Sequence, residues 1–260
     1  MVKRRLIPKL LLRAMKFGNV EKMVLVTTTN YDKITNAGDP VSQAKIYEAQ
    51  SADELIFLNI QPNTENKKSI LSIIRKVSEE IFMPITIGGG ISSLDDFRDL
   101  LSNGADKVSI NTSAVLNPKL ISEASARYGA QCVVVSIDYR NLDGVNFVYI
   151  NGGETKTNLN PVDWAIEAER LGAGEILITC IDNDGTQNGL DTNVLKQICS
   201  KIKIPVIASG GCGLASHFID GFNAGADAVS AGTYFCFKDQ SPIQTRSHIS
   251  NAGIPIRLHK

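Results

Sequence analysis

Asp138 is the residue of this sequence best placed to move a proton. It follows the apolar run Val133-Val134-Val135-Ser136-Ile137. A carboxylate at the end of a buried strand can act as general acid or base; it can equally cap or tie down a loop. Four glycine-rich or hydroxyl-bearing segments could hold an anion. They are Gly88-Gly89-Gly90, Asn111-Thr112, Gly210-Gly211-Cys212-Gly213 and Gly232-Thr233. Glycine lets backbone N–H groups approach an anion closely, and a helix start that follows adds favourable partial charge. A further loop, Asp182-Asn183-Asp184-Gly185-Thr186, could contact a ligand through Asp184, Gly185 and Thr186. Its two aspartates could coordinate a cation, but no EF-hand spacing follows. Neither a metal nor a cofactor is expected.

The elements that must position these residues repeat at an offset of 121 residues. Pro84-Ile85 recurs as Pro205-Val206, Gly89-Gly90 as Gly210-Gly211, and Thr112 as Thr233. Gly104-Ala105-Asp106 recurs as Gly225-Ala226-Asp227, and Glu54 as Glu175. One long period held across separate segments means two copies of one half-domain. Eight apolar runs alternate with helical spacing: 6–12, 54–60, 84–87, 107–111, 132–138, 175–181, 205–209 and 227–232. Most are apolar on both faces, as parallel strands covered by helices are. Helices are predicted over 66–81, 93–103, 117–128, 161–171 and 191–202, with caps at Ser93 and at Asn160-Pro161. Eight βα units in two fours predict a (βα)8 TIM barrel, one domain over residues 1–260, rather than an open doubly wound sheet. The longest irregular stretch is expected at 16–39, between the first strand and the first helix.

In such a barrel the strand C-terminal ends carry the chemistry, and the last two strands form the usual phosphate site. By the repeat, Gly89, Gly90, Asn111 and Thr112 form a second cup opposite Gly210, Gly211, Gly232 and Thr233. A phosphorylated ligand with a phosphate at each end would fit; so would glycines that only make tight turns. Lys plus Arg equal Asp plus Glu at 27 each, and aromatics are 6%, which gives nucleic acid nothing to bind. Five scattered cysteines without a CxxC pair read as reduced thiols of a cytoplasmic protein. The N-terminus faintly mimics a signal peptide, but Pro8 and Lys9 interrupt it. No run of 18 apolar residues could cross a membrane. His217 is placed on a helix and Trp164 in packing.

The chain resembles HisF, the cyclase subunit of imidazole glycerol phosphate synthase, over nearly its whole length. The residues that carry the resemblance include Arg5-Leu-Ile-Pro, Gly38-Asp-Pro-Val, Ala52-Asp-Glu-Leu-Ile-Phe-Leu and Gly88-Gly-Gly-Ile. They continue with Gly104-Ala-Asp-Lys-Val-Ser-Ile-Asn, Gly172-Ala-Gly-Glu-Ile-Leu, Asp182-Asn-Asp-Gly-Thr and Ala208-Ser-Gly-Gly. The resemblance implies a HisH-like glutaminase partner at the barrel's N-terminal face, forming a heterodimer. It also implies ammonia travelling through the barrel core, gated by Arg5, Glu54, Lys107 and Glu175.

The departures carry as much information. The family uses two aspartates for acid/base work, and Asp138 matches the second. The first falls at Leu11, which cannot transfer a proton. Losing a positioned acid or base typically costs roughly 10²–10⁴ in rate. Lys9 replaces the family's cysteine, Asn59 an aspartate, and Val26-Thr27-Thr28-Thr29 aligns with the family's Lys-Gly segment. The Leu10-Leu11-Leu12 triplet resembles HisF-like paralogues linked to surface-sugar amidation. Their ammonia goes to a separate sugar amidotransferase, which builds an acetamidino group in lipopolysaccharide biosynthesis. The alternative is a working cyclase/lyase of histidine biosynthesis.

Overall fold

The computed structural model describes residues 3–18, 20–61, 67–237 and 240–257. Asn66, the predicted start of the helix over 66–81, lies outside them. Twelve strands and ten α-helices are formed by the described residues. The first half runs β1 (Arg5–Phe17), β2 (Val20–Thr29), β3 (Lys33–Gly38), α1 (Pro40–Ala49), β4 (Leu55–Asn59) and α2 (Lys67–Glu80). It continues with β5 (Ile85–Gly88), α3 (Leu94–Ser102), β6 (Lys107–Ile110), α4 (Thr112–Leu116) and α5 (Lys119–Tyr128). The second half opens with β7 (Val133–Leu142), β8 (Val145–Ile150), β9 (Thr155–Lys156), α6 (Pro161–Arg170) and β10 (Glu175–Cys180). It ends with α7 (Thr192–Lys201), β11 (Val206–Ser209), α8 (Ala215–Asn223), β12 (Ala228–Ala231), α9 (Thr233–Phe237) and α10 (Pro242–Asn251).

Eight of these strands pair in parallel in the order β10-β11-β12-β1-β4-β5-β6-β7, and β7 pairs with β10 to close the circle. The result is the (βα)8 barrel that the alternating runs imply. Outward side chains such as Leu6, Leu55, Val108 and Ile176 join the helices in the main core. Inward side chains Ile7, Ile56, Val134, Leu177, Ile207 and Ala228 form a separate apolar plug on the barrel axis.

The 121-residue repeat reaches into the joints between elements. Asp106 accepts the Ile85 N–H at 2.8 Å, and Asp227 accepts the Val206 N–H at 3.1 Å. Glu48 accepts from Phe82 and Met83 N–H groups as Glu169 does from Lys203 and Ile204. Asp39 caps α1 and Asn160 caps α6, each followed by proline. The cap predicted at Ser93 forms, and it does so as a capping box with Asp96.

Two sequence expectations need correction. The stretch 16–39 is not irregular. β1 continues past Leu12 to Phe17, and β2 and β3 fold back on it as an antiparallel ribbon. Lys16, Lys22 and Lys33 interrupt its apolar residues, so the pattern of the barrel strands does not reveal it. Asp138 does not close its strand either, because β7 runs on to Leu142 and pairs with β8. The Asp143-Gly144 turn, with φ of 52° and 84°, is a strong hairpin signal that the sequence reading passed over.

The barrel floor near the C-terminus is locked by a buried ion pair. Arg246 of α10 donates to Asp53 at 2.8 Å and to the carbonyls of Ser51 and Arg257, while Asp53 also accepts the Leu6 N–H. Removing one member leaves an uncompensated buried charge. We expect Arg246→Ala to lower unfolding free energy by about 3–5 kcal/mol, read by urea denaturation. A loss under about 1 kcal/mol would show that α10 is not held this way.

Candidate functional site

Inward-facing residues stack in layers along the barrel axis because successive strand side chains alternate faces. The lowest layer is a closed ring of four charges. Arg5 donates to Glu54 and to Glu175 at 2.6 Å each. Lys107 donates to Glu54 at 2.9 Å and to Glu175 at 2.8 Å. Each cation meets both anions, so no charge in the ring lacks a partner. Burial opposes charge on Arg5, Glu54 and Lys107, and their neighbours outweigh it. The two glutamates hold Arg5 and Lys107 above their ordinary values despite burial. Arg5 and Lys107 hold Glu54 below the usual carboxylate range despite the same penalty. Above the ring lies the apolar plug.

Above the plug the interior turns polar. Lys9, Ser109, Ser136, Thr179, Ser209 and Ser230 are buried at the next inward positions of their strands. Lys9 lies 3.4 Å from the Asp184 carboxylate, whose other oxygen accepts from Thr28 at 2.8 Å. Asp138 sits higher on β7, beside Ser136 at 3.3 Å and Asn111 at 3.3 Å. Burial pushes the Asp138 carboxyl up to about 6 and Asp184 adds to the rise; Lys9, Ser136 and Tyr31 pull it back down.

Ladder register settles which residue mirrors Asp138. Leu11 pairs with Leu58, and Asp138 pairs with Thr179. Leu58 and Thr179 are themselves 121 residues apart. Leu11 therefore occupies the same position in the first half that Asp138 occupies in the second, and the mouth has one such carboxylate. By the same register Lys9 is the counterpart of Ser136.

Two hairpins arch over the mouth. The β2–β3 tip turns through Asn30 and Tyr31, both in the left-handed region at φ 54° and 63°. Asn30 binds the carbonyls of Ile181 and Asp182, and its N–H donates to the Asp184 carbonyl at 2.8 Å. This docking leaves no space at Gly185, where a Cβ would meet the Thr28 carbonyl at 2.1 Å. The second tip, 151–153, hangs from Thr112, whose hydroxyl accepts the Asn151 N–H at 2.9 Å. The tips touch, since a Cβ on Gly153 would stand 2.9 Å from the Tyr31 ring. The Tyr31 phenol reaches Asp138 and Thr179; its burial and the carboxylates of Asp138 and Asp184 push it well above the ordinary tyrosine range. Tyr31 and Thr28 carried no signal in the sequence, because a ribbon residue becomes a mouth residue only once the ribbon folds over.

The predicted ligand residues divide unequally. Asp184, Gly185, Gly210, Gly211, Gly232 and Thr233 line one cleft open to solvent, together with Lys9 and Leu11. Gly89, Gly90, Asn111 and Thr112 stand across the mouth, outside that lining. The matched glycines also have a packing role, because a Cβ on Gly89 or Gly210 would meet the Asn59 carbonyl at 2.1 Å or the Cys180 carbonyl at 2.5 Å. His217 lies on α8, where it accepts the Gly213 N–H, and Trp164 is buried in α6. Asp182 is engaged by Asn141 and lies 3.7 Å from Arg140. All five cysteines are free, and no described helix is long and apolar enough to cross a membrane.

Residues 15–241 match the family described as "Histidine biosynthesis protein". A Prochlorococcus marinus protein, provisionally named imidazole glycerol phosphate synthase subunit hisF2, is 48% identical over all of both chains. Imidazole glycerol phosphate synthase subunit HisF of Flavobacterium johnsoniae is 45% identical, over 99% of this chain and all of its own. The HisF subunit of Clostridium botulinum (strain Okra) is 41% identical with the same coverage.

The Asp138 environment is open to titration. In a carboxyl ¹³C NMR titration its midpoint should fall near about 6, and Lys9→Met should move it higher by removing a nearby positive charge. A midpoint in the ordinary aspartate range would contradict the described burial.

Proposed function

The chain belongs to the HisF family of histidine biosynthesis proteins, and from that premise we propose that it is a synthase subunit receiving ammonia along its barrel axis from a glutaminase partner. The four-charge floor ring carries this reading. A ring whose charges are all paired can part by swapping partners rather than by exposing a bare charge, which suits a gate for a small neutral molecule. The apolar plug beyond it favours ammonia over ammonium, since a bare cation pays a large desolvation penalty there. The partner docks on the floor, and a phosphorylated ligand sits at the mouth.

The fate of the ammonia follows from the mouth. A single carboxylate at Asp138, with Leu11 in the matching position, favours delivery toward acetamidino modification of a surface-glycan sugar by a separate amidotransferase in the cytoplasm. The second reading is the cyclase/lyase of histidine biosynthesis. It is favoured by the names of the Flavobacterium and Clostridium relatives, which are 45% and 41% identical. There, ammonia and a ribulosyl formimino carboxamide ribonucleotide would give imidazole glycerol phosphate and release the aminoimidazole carboxamide ribotide, with Asp138 and the Tyr31 phenol as the proton-handling groups at the mouth.

The decisive measurement supplies the purified chain with that ribonucleotide and excess ammonium salt. We expect no cyclase turnover, and we expect Leu11→Asp to raise it toward the roughly 10²–10⁴-fold that a positioned acid contributes. Brisk turnover of the unaltered chain would establish the histidine reading. Paired with the glutaminase, Lys107→Ala should release more glutamate per ammonia incorporated than the unaltered chain does. An unchanged ratio would remove the gate role from the ring.

A further inference from the structure

The floor carries an aromatic ring that the fold holds out in water. Phe82 is 97% exposed, the highest value of any large apolar side chain among the described residues. It stands between α2 and β5, and its neighbours are pinned. Ile81 is buried in the main core, and Met83 packs against that core. The Glu48 carboxylate accepts the N–H groups of both Phe82 and Met83. Pro84 follows and restricts the backbone before it. Its carbonyl accepts the Leu55 N–H at 2.9 Å. The ring therefore has no way to fold back onto the protein. Leu55 follows Glu54, so this loop adjoins the charged ring of the floor.

A single exposed apolar residue is ordinary; the repeat makes this one informative. The second half builds the same loop with the same bonds. Glu169 accepts from Lys203 and Ile204, and the Pro205 carbonyl accepts the Ile176 N–H at 3.0 Å, beside Glu175. At the 121-residue offset, Phe82 becomes Lys203, Ile46 becomes Glu167 and Ala49 becomes Arg170. Ile46 and Ala49 share one face of the last turn of α1, the helix that supplies Glu48, and both are exposed. Three positions at one end of the barrel are thus apolar in the first half. In the second half they are charged, with Glu167 and Arg170 paired to each other. Lys45 against Ile166 runs the other way, but Lys45 is tied to Glu80 at 2.7 Å and Ile166 is 37% exposed.

We propose that Phe82, with Ile46 and Ala49, is the anchor over which the glutaminase partner seats an apolar pocket, so that the partner grips the first half of the floor and is oriented by it. An aromatic side chain fixed before binding makes a strong anchor, because little ordering cost attends its docking. The occupant is the glutaminase because the anchor adjoins the ring through which its ammonia would enter. The anchor rests on the reading that a glutaminase docks on the floor, and it adds which half is gripped and by what chemistry. Lys203, in the matching loop, contributes only to a polar rim.

The test titrates the HisH-like glutaminase of the same organism into the full chain by calorimetry, with sedimentation of the chain alone beside it. Phe82→Lys should weaken binding by about thirtyfold or more, and Phe82→Leu should keep most of the affinity. Lys203→Ala should stay within about threefold, since rim contacts carry little energy. Phe82 touches little of its own protein, so its variants should keep the Tm of the unaltered chain. If Phe82→Lys lowers it, Phe82→Ala decides, with an expected loss of about tenfold. Unchanged affinity in the deciding variant, or an equal loss for Lys203→Ala, would overturn the anchor and leave the floor-docking reading standing. No binding of the glutaminase by the unaltered chain would overturn both. A dimer of the chain alone that Phe82→Lys abolishes would assign the ring to a second copy and overturn the glutaminase as its occupant.

Discussion

Closure of eight parallel strands forces every second residue of each strand onto one shared axis. Everything functional about this chain follows from how that narrow interior is filled. Water cannot solvate it freely, so each inward polar group must find a partner among the other seven strands. The floor solves this with two cations and two anions in a ring, each ion serving two others. The plug solves it with almost wholly apolar side chains, among which Thr86 is the buried inward residue paired with Ile56. The layer above solves it incompletely, leaving two serine hydroxyls without partners beside a buried lysine.

The mouth is asymmetric in a fold built from two equal halves. Strand register makes Leu11 and Asp138 equivalent, and likewise Lys9 and Ser136. The first half contributes a cation and a leucine where the second contributes a hydroxyl and a carboxylate. The hairpins amplify the difference. One tip is drawn onto the loop carrying Asp182 and Asp184, and the other onto Thr112. Tyr31 then covers Asp138 from above. The Asp138 carboxylate is thereby surrounded by Lys9, Ser136 and Tyr31.

Much of this was legible in the residues. The barrel and its halves follow from apolar runs and a constant offset, while the four floor charges were implied by the family resemblance. The placement of the candidate glycines after strand ends follows too. The β2–β3 ribbon was not legible, because an antiparallel extension that leans over a mouth buries only part of itself and leaves no clean alternation. The neighbouring β7–β8 hairpin was announced by Asp143-Gly144, a local signal with a local cause.

What the sequence determined by itself was the set of layers: which residue types alternate on each strand, and how often the pattern recurs. Those are properties of nearest neighbours along the chain. Only the tertiary structure decided which charges meet, which hydroxyls remain unpaired and which side chain covers Asp138. The partners Arg5 and Glu175, or Lys9 and Asp184, are separated by more than a hundred residues. They meet only because the barrel closes and its mouth hairpins fold inward, and no local preference encodes that meeting.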